Sequence, residues 1–315
     1  MTDSDGRPAE PETTRIAVDL LGGDGAPAVV VDGALLALDA DPELCLHLVG
    51  PSEVADEVLA ACSPGDRVRV STQAVTTGVR MADAPSRAAR HDTTVRAAVA
   101  AVADGRAGAL VSAGMSGAVV TAAALGLGRL SGVRKPALAA ILPARSGPVV
   151  LLDVGASPEI SASVLVQHAA LGAAYASRVL GLPVPRIGLL SIGTEAGKGD
   201  RARRSADETL RATQPGYVGM VEGGDVPLGG PADVVLTDGF SGNILLKGIE
   251  GAFALAGGVA PPGAVPRAAA LLGVAGIVIV CHGAATAADL ASGIALAARL
   301  RRTGRPHPHP AEVSR

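Results

Sequence analysis

The sequence predicts an α/β fold with a mostly parallel sheet, and three observations lead to this prediction. Short β-rich runs alternate with Ala-rich helical stretches from Arg15 onward. Several of the runs end in a polar residue followed by glycine, as expected where a strand turns into a helix. The chain has 315 residues and 48% hydrophobic content, enough for one large domain or two small ones that share a core.

Each predicted strand is an apolar run bounded by Gly, Asp or Pro. In chain order the strands are RIAVDLL, LCLHLVG, DRVRVST, GALVSAG, PVVLLDVG, PRIGLLSIG, ADVVLTDG and AGIVIVCHG. The most apolar segment, LLGVAGIVIVCHGAA from Leu271, reaches His282 too soon for a membrane-spanning helix and predicts a buried strand. Because ligands of open α/β sheets bind at the carboxyl ends of strands, we expect the polar turns to line one edge of the sheet.

Composition narrows the classes of function. A net charge of -3 and the absence of zinc-finger or RNA-binding aromatic motifs argue against nucleic acid as a partner. With Trp 0, Tyr 2 and Phe 2, the core must be built from Ala, Val, Leu and Ile. Cys45, Cys62 and Cys281 are widely spaced and lie in or near apolar runs, which predicts core thiols in a reducing compartment.

The two ends of the chain differ from its body. Residues 1–14 are polar and acidic and lack the apolar stretch of a signal peptide, so we predict a disordered lead-in and a cytoplasmic location. Residues 301–315 predict a disordered tail, and residues 15–300 form the predicted domain. The Gly/Pro-rich ALAGGVAPPGAVP from Ala254 predicts a surface excursion.

The most informative segment is DVVLTDGFSGNILLKGIEG, residues 233–251. Its strand brings Asp238 to the carboxyl edge of the sheet, and its GFSGN turn exposes the backbone N–H groups of Ser241, Gly242 and Asn243. The helix that follows directs its positive end at the same point, and Lys247 adds a full charge. This arrangement is typical of anion binding in α/β enzymes.

Two further glycine-containing turns are candidates for ligand binding. GGDGAP, with Gly22, Gly23 and Asp24, brings backbone close to a ligand or forms only a tight turn, and spacing alone does not decide between the two. SAGMSGA opens an Ala-rich helix. Its hydroxyls and glycines either cap that helix or bind an oxyanion with the same amides. Those residues are Ser112, Gly114, Ser116 and Gly117.

The remaining candidates are single charged or titratable residues. Asp153, at the end of LLDVG, orients a ligand or accepts N–H bonds from its own loop, and we favour the structural role slightly. Lys198 lies beside Glu195 in a glycine-broken loop, where solvated charges are the commoner outcome. His282 follows a strand as a proton donor or a hydrogen-bonded structural residue. The candidates for a catalytic role are therefore Asp24, Asp153, Lys247 and His282.

Several common catalytic motifs are absent from the sequence. It contains no GxGxxG or GxxxxGK[ST] loop, no GxSxG elbow, no SxxK and no convincing Cys–His pairing. No His, Cys and carboxylate cluster has metal-ligand spacing, so we predict neither a metal nor a cofactor. Many amide donors with few catalytic side chains favour a reaction in which the substrate supplies its own nucleophile, and inorganic phosphate is such a nucleophile.

The ordered series of motifs resembles the PlsX family of phosphate acyltransferases over roughly Arg15 to Leu300. The motifs are IAVDLLGGDGAP, LVSAGMSGA, KPALAAILP, LLDVGA, GLLSIGTEAGKG, GMVEGGD, DVVLTDGFSGNILLKGIEG and GIVIVCHG. The resemblance implies a three-layer α/β/α Rossmann-like fold of the isocitrate and isopropylmalate dehydrogenase group, and a homodimer. It also implies acyl transfer from acyl carrier protein to phosphate. The acyl phosphate product would supply a downstream membrane acyltransferase in phospholipid synthesis.

The chain departs from the family pattern near the expected ligand turns. Met115 and Ser116 stand where the family tends to have Asn and Thr, and His91 replaces a Lys. Ser157 replaces an Asn, and Thr194 replaces an acid. These changes predict an altered acyl donor, such as coenzyme A in a phosphotransacetylase-like reaction, or a silent paralogue that binds acyl carrier protein. A nicotinamide dehydrogenase is a weaker alternative, because its metal-binding carboxylates are missing.

A second departure concerns the segment after Gly251. The family usually carries a longer, hydrophobic and basic helical arm there, whereas this chain has AFALAGGVAPPGAVPRAAA with the single basic residue Arg267. Adjacent prolines and one charge make a poor interfacial helix. We predict at most weak peripheral contact with membranes.

Overall fold

The computed structural model describes residues 14–79, 83–85, 87, 92–195, 197–255 and 268–304. His91, Arg267 and most of the Gly/Pro-rich excursion lie outside the described residues, as do most of the two predicted tails. Thr14 is buried and its carbonyl accepts a hydrogen bond from Cys45 N. The last helix continues through Arg302, which pairs with Asp41 at 2.7 Å. The described structure therefore includes residues on either side of the predicted 15–300.

Eleven strands are present among the described residues. They are β1 Arg15–Asp19, β2 Cys45–Gly50, β3 Val70–Ala74, β4 Ala109–Ser112, β5 Ala137–Leu142, β6 Val149–Leu152, β7 Ile187–Leu190, β8 Tyr217–Val221, β9 Val234–Leu236, β10 Ala268–Leu272 and β11 Ile277–Cys281. All eight runs named from the sequence form strands, and β5, β8 and β10 are additional.

Ten helices connect or follow these strands in the part of the chain that is described. They are α1 Ala28–Ala40, α2 Ser52–Ala61, α3 Pro64–Arg67, α4 Thr94–Ala103, α5 Ser116–Gly126, α6 Ala162–Leu180, α7 Arg201–Thr213, α8 Asp225–Leu228, α9 Gly239–Leu255 and α10 Ala287–Arg302.

The strands form one sheet in the order β3-β2-β1-β4-β11-β10-β5-β6-β9-β7-β8. Seven of the ten pairings are parallel, which confirms the mostly parallel sheet. The three antiparallel pairings are β11 with β10, β10 with β5 and β5 with β6. An odd number of reversals separates the two sides of the sheet, so β6, β7, β8 and β9 run opposite to β1, β2, β3, β4 and β11.

The reversal overturns the prediction that all polar turns line one edge. The carboxyl ends of β1, β4 and β11 lie at one edge of the sheet, called edge A below. The carboxyl ends of β6, β7 and β9 lie at the opposite edge, called edge B. The prediction failed because it assumed parallel neighbours and did not include β5 and β10, the two strands that reverse the direction.

The apolar segment from Leu271 is also two strands rather than one. β10 ends at Leu272, Gly273 adopts a positive φ of 88°, and β11 begins at Ile277. Glycine suits this turn because L side chains rarely adopt a positive φ. Within the described residues, no helix combines the length and apolar character needed to cross a membrane.

Helices cover both faces of the sheet and create two cores. One face packs against α1, α2, α6, α7 and α10, and the other against α4, α5, α8 and α9. Alternation along β1 illustrates the division, since Ile16 and Val18 face the first core and Ala17 faces the second. This arrangement confirms the three-layer α/β/α sandwich. The buried side chains are mainly Ala, Val, Leu and Ile, as the composition predicts.

Small residues allow close packing between layers. A Cβ added at Gly33 in α1 would lie 2.5 Å from Leu290 Cβ in α10, so these helices approach more closely than a side chain would allow. Cys62 and Cys281 are buried free thiols, and Cys45 is partly buried. Burial raises the pKa of the Cys281 thiol to about 12, so it stays protonated at neutral pH.

Candidate functional site

Three loops meet at edge A, after β1, β4 and β11. The N–H of Asp24 donates to the carbonyl of Gly283 at 2.8 Å, which joins the first loop to the third. A Cβ added at Gly22 would lie 2.8 Å from both Gly114 N and Ser112 Oγ. Glycine is therefore required at position 22 because the loops after β1 and β4 touch there.

A buried carboxylate lies beneath these loops, that of Asp19 at the end of β1. Its side chain accepts hydrogen bonds from Ser112 Oγ at 2.7 Å, from Leu21 N at 3.2 Å and from the hydroxyl of Thr94. Burial raises the pKa of Asp19, although these hydrogen bonds oppose the rise. Asp19 was not among the predicted site residues, yet its position as the polar residue that ends an apolar strand shortly before Gly-Gly was a usable signal.

The Ser112 hydroxyl does not cap α5, because it lies between two other groups. It donates to Asp19 and accepts from Gly114 N at 3.0 Å. The N-cap residue of α5 is Met115, whose side chain makes no capping hydrogen bond. Among the described residues, the N–H groups of Ser116 and Gly117 have no hydrogen-bond partner. Within the described part of the chain, the positive end of α5 therefore has two free amides at edge A, beside the ring of Pro85.

His282 lies at the same edge and is exposed. Its Nδ1 accepts a hydrogen bond from Ala284 N at 3.0 Å. In the neutral ring the proton is then on Nε2, which is the nitrogen available to a ligand. Edge A thus brings together Gly22, Gly23, Asp24, Ser112, Gly114, Ser116, Gly117 and His282.

At edge B, Asp153 serves its own loop. The completely buried carboxylate accepts hydrogen bonds from the backbone N–H groups of Leu138, Gly155, Ala156 and Ser157 at 2.8 to 3.0 Å. Burial raises the pKa of Asp153 to about 6, against the effect of these four donors. With its acceptor positions occupied, Asp153 fits the structural role that the sequence slightly favoured.

The GFSGN segment is the first turn of α9, which corrects the expectation of a separate turn before the helix. Three of its amides are already used inside the protein. Gly239 N donates to Ser157 O at 2.8 Å, Ser241 N to Asp238 Oδ1 at 2.8 Å and Gly242 N to Asp238 O at 2.9 Å. The Asp238 carboxylate occupies the place that an anionic ligand would take.

A further residue missed from the sequence, Arg203 of α7, completes edge B. Its guanidinium donates to Leu190 O at 2.8 Å, to Thr237 Oγ1 at 3.3 Å and to the carboxylate of Asp238. Burial alone would raise the pKa of Asp238, but the hydrogen bonds from Ser241 N and Arg203 outweigh it and lower that pKa. No spacing in the sequence pairs Arg203 with Asp238, because they belong to helices on opposite faces of the sheet.

The other edge B candidates lie around this cluster. Asn243 Nδ2 donates to Val154 O at 3.2 Å, and a Cβ at Gly242 would lie 2.0 Å from Asp153 O. Lys198 is 47% exposed, with Nζ 4.0 Å from Glu195 Oε2.

Lys247 lies farther along α9 and pairs with Glu250 at 3.1 Å. It follows the helix start by eight residues, or about 12 Å. Because α9 runs antiparallel to β9, this distance brings Lys247 back toward edge A, on the same face of the sheet as α5.

Among the described residues, no group of three or more His, Cys, Asp and Glu side chains is placed to hold a metal ion.

Comparison with known proteins places this arrangement in a family. A family model described as "Fatty acid synthesis protein" matches residues 14–260. The chain belongs to the PlsX phosphate acyltransferase family. A phosphate acyltransferase of Desulfitobacterium hafniense (strain Y51) is 39% identical to this PlsX-family chain over 239 residues, covering 75% of this chain and 70% of the relative. Another, of Heliobacterium modesticaldum, is 38% identical over 312 residues, covering 90% and 92%. The chain is thus an enzyme of the acyltransferase class.

Solved structures support the fold of this PlsX-family chain. A phosphotransacetylase from Streptococcus pyogenes superimposes with a TM-score of 0.67 at 17% identity, covering 93% of this chain and 95% of that one. At this identity the similarity concerns the fold alone.

Proposed function

We propose that this chain transfers an acyl group from the thioester of acyl carrier protein to inorganic phosphate, yielding an acyl phosphate for phospholipid synthesis. Family membership supports the reaction class. The observation that carries the site assignment is the uncapped amino end of α5, where the Ser116 and Gly117 N–H groups are open. A helix amino terminus with free amides favours phosphate through hydrogen bonds and the helix dipole.

The two edges offer phosphate unequal sites. At edge B three first-turn amides of α9 donate to protein oxygens, and the Asp238 carboxylate, paired with Arg203, already takes the place of an anion. At edge A no oxygen of a described residue accepts a hydrogen bond from the Ser116 or Gly117 N–H, although the ring of Pro85 lies beside Gly117. We therefore assign phosphate to Ser116 and Gly117, with Lys247 adding positive charge from α9.

The reaction needs little more than positioning and charge neutralisation. A phosphate oxygen attacks the thioester carbonyl carbon, a carbon–oxygen bond forms and the carbon–sulfur bond breaks. The proton of hydrogen phosphate goes to the departing thiolate, so the products are the acyl phosphate and the free carrier thiol. His282 Nε2–H, at the same edge, is the candidate hydrogen-bond donor to the departing thiolate. Binding the phosphate against α5 makes the attack effectively intramolecular once the thioester is bound.

Product trapping tests the proposal directly. Purified protein is incubated with phosphate and a panel of acyl carrier protein and acyl-coenzyme A thioesters, and hydroxylamine converts acyl phosphate to hydroxamate. We expect hydroxamate from carrier-protein thioesters and none when phosphate is omitted. Folded protein that gives no hydroxamate with any donor would contradict the proposal.

Lys247 provides a more local test. Lys247→Ala should raise the KM for phosphate about tenfold, or about 1.4 kcal/mol, because the variant loses the cation that the proposal assigns to the phosphate. Lys198→Ala, at the opposite edge, should leave that KM within about twofold and serves as the matched control. A Lys247→Ala variant with full phosphate affinity would exclude Lys247 from the site.

Two alternatives concern the donor and the activity. The fold shared with a phosphotransacetylase is compatible with acyl-coenzyme A as the donor. Competition between the two donor types separates these reactions. The replacements at Met115, Ser157 and Thr194 support instead a silent paralogue, which would bind acyl carrier protein without turnover. Ser157 is buried and its carbonyl accepts from Gly239 N, so that replacement lies at edge B, away from α5.

The proposal also includes a homodimer and a cytoplasmic location. Phe240 and Ile244 are 63% and 58% exposed on one face of α9, which supports a homodimer that covers them. Analytical ultracentrifugation of the wild type and Ile244→Asp tests this, and a dimer in both would remove α9 from the interface.

We place the protein in the cytoplasm with weak membrane contact. Sedimentation with anionic vesicles measures that contact. A membrane acyltransferase would then consume the acyl phosphate.

A further inference from the structure

Asp19 connects three loops at edge A although it is 3% exposed. Its carboxylate accepts from Leu21 N in the loop before α1, from Thr94 at the start of α4 and from Ser112 at the end of β4. No ion pair with Asp19 is formed by a described Lys or Arg side chain. The carboxylate is therefore held by hydrogen-bond donors alone, and its burial keeps it from touching a ligand.

The hydrogen bonds at Ser112 have a defined direction. Gly114 N can only donate, so the Ser112 hydroxyl accepts from it and donates its own proton to Asp19 Oδ2 over 2.7 Å. The hydroxyl oxygen then turns a lone pair toward Gly114 N, 3.0 Å away. This series of hydrogen bonds fixes the peptide group of Gly114, two residues before Ser116. The amino end of α5 is thus oriented by Asp19 through Ser112.

Little space surrounds these hydrogen bonds. The Cα of Gly22 lies over Gly114 N and Ser112 Oγ so closely that a Cβ there would be 2.8 Å from each. Leu21, next to Gly22, donates its N–H to Asp19. The loop after β1 therefore covers the hydrogen-bonded chain, and one carboxylate holds both sides of the contact in place.

We propose that Asp19 is the positioning residue of the phosphate site and directs the Ser116 and Gly117 N–H groups through Ser112 and Gly114. This inference rests on the proposed function, because it assumes that phosphate binds at the amino end of α5. Asp19 is not a catalytic residue in this scheme. A displacement of about 1 Å in a substrate-positioning group can cost about a hundredfold in rate, so its loss should be measurable.

The test uses Asp19→Asn, Ser112→Ala and the double variant of the full chain. Asp19→Asn keeps the shape of the side chain but replaces one acceptor oxygen with a donor, so the Ser112 hydroxyl loses its acceptor. We expect each single variant to raise the KM for phosphate at least tenfold, with the KM for the acyl donor unchanged. The phosphate KM of the double variant should be no higher than that of the poorer single variant, because both changes break the same series of hydrogen bonds.

Val58→Ala is the control for stability, since Val58 is fully buried in α2, which packs against α1, β2 and β3. It should lower the thermal midpoint without changing the KM for phosphate. A folded Asp19→Asn protein with a phosphate KM within twofold of the wild type would overturn the inference. Losses that multiply in the double variant would overturn it as well.

Direct binding of inorganic phosphate, measured by calorimetry, separates the failure of this inference from that of the proposed function. If the wild type binds phosphate but forms no acyl phosphate, the proposed reaction fails. In that case a tenfold loss of binding in Asp19→Asn still supports the positioning role. If the wild type binds no phosphate at all, both proposals are overturned.

Discussion

The two edges of the sheet are built from the same parts and reach opposite outcomes. Each has strand ends, glycine-containing turns and the amino terminus of a helix. At edge B, Asp153 and Asp238 accept the local amides, and Arg203 neutralises Asp238. At edge A, Asp19 organises the loops from below and leaves the first amides of α5 open. Closely similar sequence motifs can therefore form a structural joint, in which protein oxygens bind the amides of a helix start, or an open anion site.

The comparison teaches that the capping residue decides the outcome. Asp238 immediately precedes α9 and uses its carboxylate on Ser241 N. Met115 precedes α5 and offers no acceptor. An aspartate at the N-cap supplies the negative charge itself, whereas a residue without an acceptor leaves the amides for a ligand. The DGFSGN motif, the most informative part of the sequence, is thus the more closed of the two helix starts.

The largest expected effect breaks the joint at edge B. Gly242→Ala should destabilise the protein by more than about 3 kcal/mol, because the new Cβ would lie 2.0 Å from Asp153 O and force α9 away from its loop. Gly248→Ala is the control on the same helix, where a Cβ meets open space. It should stabilise by up to about 1 kcal/mol through helix propensity. Urea unfolding measures both, and equal stabilities would disprove the tight joint.

Edge B should also be sensitive to acid through His168, which is completely buried beneath it and contacts Lys135 O at 3.1 Å. Burial lowers the pKa of His168 to about 4, from 6.5 in the unfolded chain. The folded state thus binds the proton more weakly, and stability is lost as the pH falls from about 6.5 to 4. The loss should approach about 3 kcal/mol.

His168→Gln isolates this contribution from that of Asp153, whose raised pKa lies in the same range and acts in the opposite direction. The difference in unfolding free energy between wild type and variant should change with pH between 6.5 and 4. A difference that does not vary with pH would show that His168 does not titrate on unfolding in this range.

Arg203 tests the electrostatic part of the joint. Arg203→Met should cost about 2 kcal/mol, because it leaves the largely buried Asp238 without its cation. Arg204→Met, one residue along α7 and exposed, should change stability by less than about 0.5 kcal/mol. Chemical denaturation distinguishes them. Similar small losses in both variants would mean that Asp238 is satisfied by Ser241 N alone.

A matched pair of serines gives the smallest effect and the sharpest comparison. Ser116→Ala, at the open helix start, should raise the KM for phosphate by about threefold to tenfold through loss of one hydroxyl. Ser241→Ala, at the closed start, should leave that KM unchanged. The assay is acyl-phosphate formation at varied phosphate. The reverse ranking would move the phosphate site to edge B.

Local patterns in the sequence determined much of the fold. Apolar runs bounded by Gly, Asp and Pro identify eight strands, because a buried strand needs an unbroken hydrophobic stretch and a turn at its end. The composition also determined the kind of core. The strand AAALL of β10 was missed because its small residues resemble the Ala-rich helices elsewhere in the chain.

The candidate site, like the fold, was predicted only in part from the sequence. The sequence was sufficient to predict that Asp238 follows a strand and that Ser116 and Gly117 open a helix, since both follow from local order. It was not sufficient to pair Arg203 with Asp238 or Asp19 with Ser112. These contacts join residues that are distant along the chain and depend on which strands are neighbours.

By itself, the sequence determined eight of the strands, the composition of the core and the family, because each of these depends on residue order and type. Only the tertiary structure decided where the polar turns lie. β5 and β10 reverse the strand direction in the middle of the sheet, and this separates turns that appear equivalent in the sequence. The structure also decided which amides remain open, because a backbone N–H is free for a ligand only when no protein oxygen reaches it.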